Sequence, residues 1–188
     1  MSRVQTVEEG QAPAGVQEIY NRIRENGAKV INLYRILAYN PHILRDFLRL
    51  GSSLLAKTEL SPKLRELAIL RVAKLTGSEY EWVQHYPIAL EVGVSPKQTE
   101  TISHWRSSKN FSEKECAVLQ YTEEVAQNVN VNDETFKALQ QHLNNREIIE
   151  LTVSIGYWGM VARLLEALQV NIDSKSISSA QELFGSRS

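Results

Sequence analysis

The chain has 188 residues, a formal net charge of −1 and a hydrophobic share of 43%. That is enough for one domain with a real core, and it gives no electrostatic case for nucleic acid or an anionic membrane surface. No apolar run approaches the roughly 18 residues of a transmembrane helix, the polar opening MSRVQTVEEGQAPAG has no signal or transit character, and a lone cysteine, Cys116, points to a reducing, cytoplasmic setting.

Glycine and proline are sparse, and apolar residues recur at spacings of three and four throughout, so the expected fold class is all-α. Residues 1–15 are expected as a loose arm with little to bury. Helices are predicted over 16–26 and 29–38, and Asn40-Pro41 breaks the chain and starts another toward Leu55. Ser61-Pro62 opens a helix to Leu75 that Thr76-Gly77 ends. Ser78 then caps the next helix, with Glu81 three residues on in capping-box position, and Gly93 stops it. Ser95-Pro96 begins a short helix and Ser112 a long one to about Asn128. Asn132 or Asp133 starts another to His142, and a last long helix covers 146–168. Residues 16–172 form the expected domain, and 173–188 a polar, serine-rich tail with a weak helical stub. Arg65-Glu66 before LAILRVAKLTG is echoed by Arg146-Glu147 before IIELTVSIG, which suggests two related helix pairs.

Chemistry concentrates in residues 60–94, LSPKLRELAILRVAKLTGSEYEWVQHYPIALEVGV. Glu66 falls on one apolar helix, and Glu81 and His85 stand one turn apart on the next. Two carboxylates and an imidazole on apolar surfaces are costly unless they partner one another. Such a trio can hold a proton near neutral pH and hand it to a substrate. Capping and helical pairing would explain part of the same spacing. As a metal site the trio is a weaker fit, because di-iron bundles use Glu-x-x-His. Cys116 reads as a small buried hydrophobe without a cation to activate it. His42 and His142 read as helix-end residues, and His104 as a loop residue at a pocket mouth. Tyr80 and Trp82 are expected in core and pocket wall. Tyr157-Trp158 and Arg163 stand out in the last helix, Arg163 either pairing with Glu66 or Glu166 or holding an acidic or lactone substrate.

The same residues resemble the carboxymuconolactone decarboxylase family, whose superfamily includes the alkylhydroperoxidase D-type enzymes. The resemblance rests on Arg65-Glu66-Leu67, then Glu79-Tyr80-Glu81-Trp82 with His85, then Gly93-Val94-Ser95. Asn40-Pro41 upstream and Arg146-Glu147 through Arg163 downstream extend it over roughly residues 16–170. It implies a helical bundle of the alkylhydroperoxidase D-like type. It also implies an enzyme acting on a small cyclic acid or lactone, with His85 as general acid or base and Glu66 and Glu81 tuning it. Tyr80, Trp82, Tyr157 and Arg163 would contact the small-molecule substrate, no cofactor or metal would be needed, and a homo-oligomer, trimer or hexamer, is implied. One departure is decisive. Redox-active members carry Cys-x-x-Cys ahead of the histidine, and those positions here hold Ser78 and Glu81. Antioxidant peroxidase activity therefore lacks its thiol pair, and a non-catalytic binding protein with the same fold is the third possibility.

Overall fold

The helix Pro62–Thr76 is buried from Leu64 through Ala73, and the rest of the molecule is arranged around it. The structure, a computed structural model, describes residues 2–173 and 179–184, all helix or loop with no strand among them. In chain order the helices are α1 (Ala14–Glu25), α2 (Asn32–Leu37), α3 (Pro41–Ala56), α4 (Pro62–Thr76), α5 (Glu79–Glu91) and α6 (Pro96–Thr101). They continue with α7 (Glu113–Asn128), α8 (Asp133–Gln140), α9 (Asn145–Leu168) and α10 (Ser179–Phe184). Helix α4 packs between α5, α7 and α9, which is why it is buried on every side, its charged Arg65, Glu66 and Arg71 included.

The boundaries follow local chemistry. Asn40 accepts from the amides of His42 and Ile43 with Pro41 in the first helical position. Ser95 with Gln98, Ser112 with Glu115 and Asn144 with Glu147 form complete capping boxes. Asn132, rather than Asp133, caps α8. Gly77 ends α4 at φ 69°, the left-handed conformation that favours glycine. The first Arg-Glu segment therefore splits into α4 and α5, whereas its echo continues as the single 24-residue helix α9.

Two expected loose ends are in fact tied down. In the N-terminal arm, the backbone amide of Arg3 donates to Leu168 O at 2.8 Å and its guanidinium to Ala167 O at 2.9 Å. Tyr20 donates to Val7 O at 3.0 Å, and Glu8 and Glu9 pair with Arg35 and Arg24. Val4, Val7 and Ala12 of the arm pack against the apolar clusters as well, so backbone, charged and apolar groups all hold it. In the tail, Trp82 Nε1 donates to Ala180 O at 2.7 Å, and Lys74 Nζ donates to the carbonyls of Leu183 and Phe184. The remaining tail residues, 174–178 and 185–188, lie outside the described residues.

Helix α9 is long and apolar enough to cross a membrane, but 56% of its most apolar window is buried in the protein. It is a core helix, packed on α4. Near it, α2, α3, α5 and α9 build a second apolar cluster that includes Leu33, Leu54, Tyr80, Tyr157, Trp158 and Val161. Here α3 approaches α9 closely: a Cβ on Gly51 would stand 2.5 Å from the Tyr157 hydroxyl.

Candidate active site

Glu66 from α4, His85 from α5 and Trp158 from α9 form one hydrogen-bonded chain. Glu66 is fully buried, and its Oε2 lies 2.8 Å from His85 Nδ1. Trp158 Nε1 donates to His85 Nε2 at 2.8 Å. An indole N–H can only donate, so Nε2 must present its lone pair, and Nδ1 carries the proton that Glu66 accepts. The imidazole is thereby fixed as the neutral Nδ1–H tautomer. The Arg65 guanidinium, 3.3 Å from Glu66 Oε1, balances the carboxylate and donates to Leu54 O.

Glu81 behaves differently. The capping box expected of Ser78 and Glu81 does not form: among the described residues, Ser78 Oγ and both Glu81 oxygens are buried without a hydrogen-bond partner. Other buried carboxylates are satisfied. Glu123 is held by Arg71, Trp105 and Arg106, and Glu124 by Gln120, Asn132 and Thr135. Glu81 is only 2% exposed. Burial, with the Glu166 carboxylate as a second cause, pushes its carboxyl well above the usual carboxylate range.

Glu81 and His85 both line a cavity of about 120 Å³ between α2, α3, α5 and α9. Its walls are mostly apolar, with Leu33, Phe47, Leu55, Val161 and Leu165 among them. Tyr80 and Tyr157 also face it, with their hydroxyls engaged. Tyr80 donates to Asp173 Oδ2 at 2.5 Å and accepts from the Leu33 amide at 3.3 Å, and Tyr157 donates to Phe47 O at 3.0 Å. Desolvation raises both phenols above their ordinary value.

The structure thus brings together Glu66, Glu81, His85, Tyr80 and Tyr157. It separates Trp82 and Arg163 from them. Trp82 is spent in the core against Tyr86 and Phe184, because its indole caps the α10 backbone. Arg163 is exposed, its guanidinium donating to Gly159 O of its own helix at 2.7 Å. His104 is exposed and outside the cavity, and His42 contacts Arg45. Cys116 is half-buried against Phe111 O, and burial with Glu115 and Glu113 pushes its thiol up. Among the described residues no group of histidine, cysteine, aspartate and glutamate side chains is arranged to hold a metal. Trp158 is the candidate site residue whose place in this hydrogen-bonded chain the sequence hides, since its partner lies 73 positions away. Only its place in the Tyr157-Trp158 pair marks it.

Residues 41–124 match the Carboxymuconolactone decarboxylase family, a span that contains Glu66, Glu81 and His85. That match and the solved structures of the same fold support a likeness to the carboxymuconolactone decarboxylase and AhpD-like proteins. Solved structures share the fold. A peroxidase-related protein with an alkylhydroperoxidase AhpD core, from Ralstonia eutropha JMP134, has TM-score 0.81 at 17% identity, covering 96% of each chain. A peroxidase-related protein from Silicibacter sp. TM1040 has TM-score 0.79 at 17% identity, covering 93% of each. A variant of the debrominase Bmp8, in complex with 2,3,4-tribromopyrrole, has TM-score 0.81 at 17% identity, covering 97% of this chain and 100% of that one. Among curated proteins none matches the chain in sequence.

The state of Glu81 has a consequence for stability. The folded chain keeps a proton on Glu81 at pH values where the unfolded side chain, with its value of about 4.3, has lost it. Stability from this group is full below that value and is lost as pH rises toward the folded one. Glu81→Gln keeps the shape without a proton to lose. Its stability relative to the unsubstituted chain should therefore climb above about pH 4.5, by up to about 1.4 kcal/mol per pH unit. Urea unfolding between about pH 5 and pH 8 measures this; a flat difference over that range would show Glu81 to be ionised in the fold.

Proposed function

We propose that this chain is a decarboxylase-like enzyme acting on a small cyclic carboxylic acid or lactone by Glu/His acid–base chemistry, without a cofactor. The observation that carries the reading is a buried, unpartnered carboxyl and an imidazole that accepts the Trp158 N–H, both in the wall of one apolar cavity. Two titratable groups whose surroundings push them to opposite roles mark an acid and a base.

Glu81 is the acid. Its proton is tied to no acceptor, so transfer breaks no existing hydrogen bond. His85 is the base once substrate displaces the Trp158 N–H from Nε2, and Glu66 then stabilises the imidazolium through Nδ1. In proton abstraction, the C–H bond next to a carbonyl breaks toward His85. The electron pair moves onto the carbonyl oxygen, which takes the Glu81 proton. In decarboxylation the bond to the leaving carbon dioxide breaks instead, and the same oxygen takes the same proton. Decarboxylation ends with an enol and a Glu81 carboxylate that recovers its proton from water; proton abstraction ends with an enol, a Glu81 carboxylate and a His85 imidazolium, which reset as His85 gives its proton to water and Glu81 takes one back.

The debrominase of the same fold is bound to a single five-membered ring, which supports a ring-sized substrate here. Antioxidant chemistry, suggested by the peroxidase-related relatives, finds no support in the thiols. Cys116 is the lone cysteine, and it packs against Phe111, outside the cavity.

The test is incubation in D2O with a panel of carboxylated lactones and β-keto acids, read by mass spectrometry. Turnover with deuterium on the ring carbon is expected. Glu81→Gln and His85→Gln should each lower it on the order of a hundredfold or more, with Glu66→Gln also reduced and Cys116→Ser unchanged. Full activity of His85→Gln alongside an inactive Cys116→Ser in a peroxide assay would replace this reading with a one-cysteine peroxidase.

We also propose a homo-oligomer, a trimer or hexamer, closed through α9. Ile149, Val153 and Met160 form an exposed stripe on that helix, at 64%, 41% and 43% exposure. Light scattering at micromolar concentration should give a multiple of the 21.3 kDa chain, and Val153→Glu should shift it toward the monomer. A monomeric unsubstituted chain contradicts the proposal.

A further inference from the structure

The groove between α1 and α3 carries a charge of its own. Ile19, Arg22 and Ile23 share one face of α1, and Arg45, Leu48, Arg49 and Ser52 share one face of α3, each set at spacings of three and four. The two faces enclose about 300 Å³, with apolar side chains between three exposed arginines. No aspartate or glutamate lines this space among the described residues. On a chain of net charge −1 that is a local excess of positive charge. We propose that the groove binds a small apolar carboxylate and is the antechamber of the cavity. The ring lies on Ile19, Ile23 and Leu48, and the carboxylate faces Arg22 and Arg49.

The arginines elsewhere set these apart. Arg24 pairs with Glu9, Arg35 with Glu8 and Glu9, Arg106 with Glu123, and Arg146 with Glu59 and Glu150. The guanidinium groups of Arg22 and Arg49 have no hydrogen bond or ion pair among the described residues. Arg45 is partly committed, to Asp46 at 3.4 Å and to His42 Nδ1 at 3.3 Å. Arg45 and Arg49 also stand one helical turn apart, a like-charge pair that weakens α3. A bound carboxylate relieves that repulsion and suits the planar donor fork of a guanidinium.

Position ties the groove to the candidate site. Tyr34, Leu48 and Ser52 line both the groove and the cavity of Glu81 and His85, so the two spaces meet at these three side chains. None of the three is fully buried, and side chains outside the core change rotamer readily. No lysine or arginine lines the cavity itself among the described residues. A ring acid therefore meets its cations in the groove, before it reaches Glu81 and His85. The passage inward rests on the carboxylic acid reading given above; the binding of a carboxylate in the groove does not.

Methyl-labelled NMR titration of the intact protein tests this with cyclohexanecarboxylate and its uncharged counterpart of the same shape, cyclohexanecarboxamide. Read at the methyls of Ile19, Ile23 and Leu48, the carboxylate should bind at least about tenfold more tightly than the amide. Sodium chloride at about 0.5 M should weaken the carboxylate alone. Arg22→Gln with Arg49→Gln should abolish the preference, and Arg22→Lys with Arg49→Lys should keep part of it. Both positions are exposed, so these variants keep the fold. At higher concentration the shifts should spread to Leu33 and Val161 in the cavity. Ser52→Trp, which fills the shared wall, should suppress that spread and leave the groove shifts in place. The proposal is overturned by equal binding of acid and amide, by no binding, or by an unaffected double glutamine variant. It is equally overturned by shifts that never reach the cavity, or by cavity shifts that survive Ser52→Trp. His85→Gln should leave the groove titration unchanged, which separates this site from the catalytic reading. Groove binding in a protein inactive on every carboxylated ring counts against catalysis and leaves the groove standing. Turnover of such a ring without carboxylate binding in the groove does the reverse.

Discussion

The hydrogen bond from the Trp158 indole to His85 Nε2 is the constraint on which the rest of the site depends. Because the indole can only donate, it dictates the tautomer of the imidazole and, through Nδ1, the accepting role of Glu66. It also joins α9 to α5, and Glu66 joins α5 to α4, so one line of three side chains runs through three packed helices. Glu66 is consumed in that line with Arg65 as its counter-charge. Nothing in it reaches Glu81, whose carboxyl, one helical turn from the imidazole, is pushed up by burial.

Burial without compensation is rare in folded proteins, and its place here is informative. Glu123 and Glu124 show that this chain satisfies buried carboxylates with arginine, indole, amide and hydroxyl donors when they serve the fold. Glu81 receives none of these, though Ser78 stands at the position from which a capping box would have supplied one. Local rules that hold at Ser95, Ser112 and Asn144 fail at Ser78, on the helix whose Glu81 and His85 line the cavity. Such failures collect at functional sites, where stability is traded for a group held ready to react.

Much of this was legible in the chain itself. The helices announce themselves through Pro41, Pro62, Gly77, Ser112 and Asn144, each acting through local backbone chemistry. The i, i+4 placement of Glu81 and His85 needs no more than helix geometry, and the pairing of Glu66 with His85 follows from two consecutive apolar helices. What stayed hidden was set by distance along the chain. Trp158 and His85 are brought together only by the packing of α9, and the α2–α3 walls of the cavity carry no motif. Trp82 and Arg163 illustrate the opposite error. Their types suit a binding site, but Trp82 is drawn into the core by α10, and Arg163 faces solvent because α9 turns its apolar side to α4.

The protonation of Glu81 can be observed directly. Infrared spectra of the protein carrying 13C-labelled glutamate, taken at neutral pH as the difference between the unsubstituted chain and Glu81→Gln, isolate this one carboxyl. The expected result is a carbonyl band of a protonated carboxylic acid that disappears in the variant, with no matching loss of carboxylate intensity. A difference spectrum showing only a lost carboxylate band would mean that Glu81 is ionised in the fold, and the cavity would then have no acid of its own.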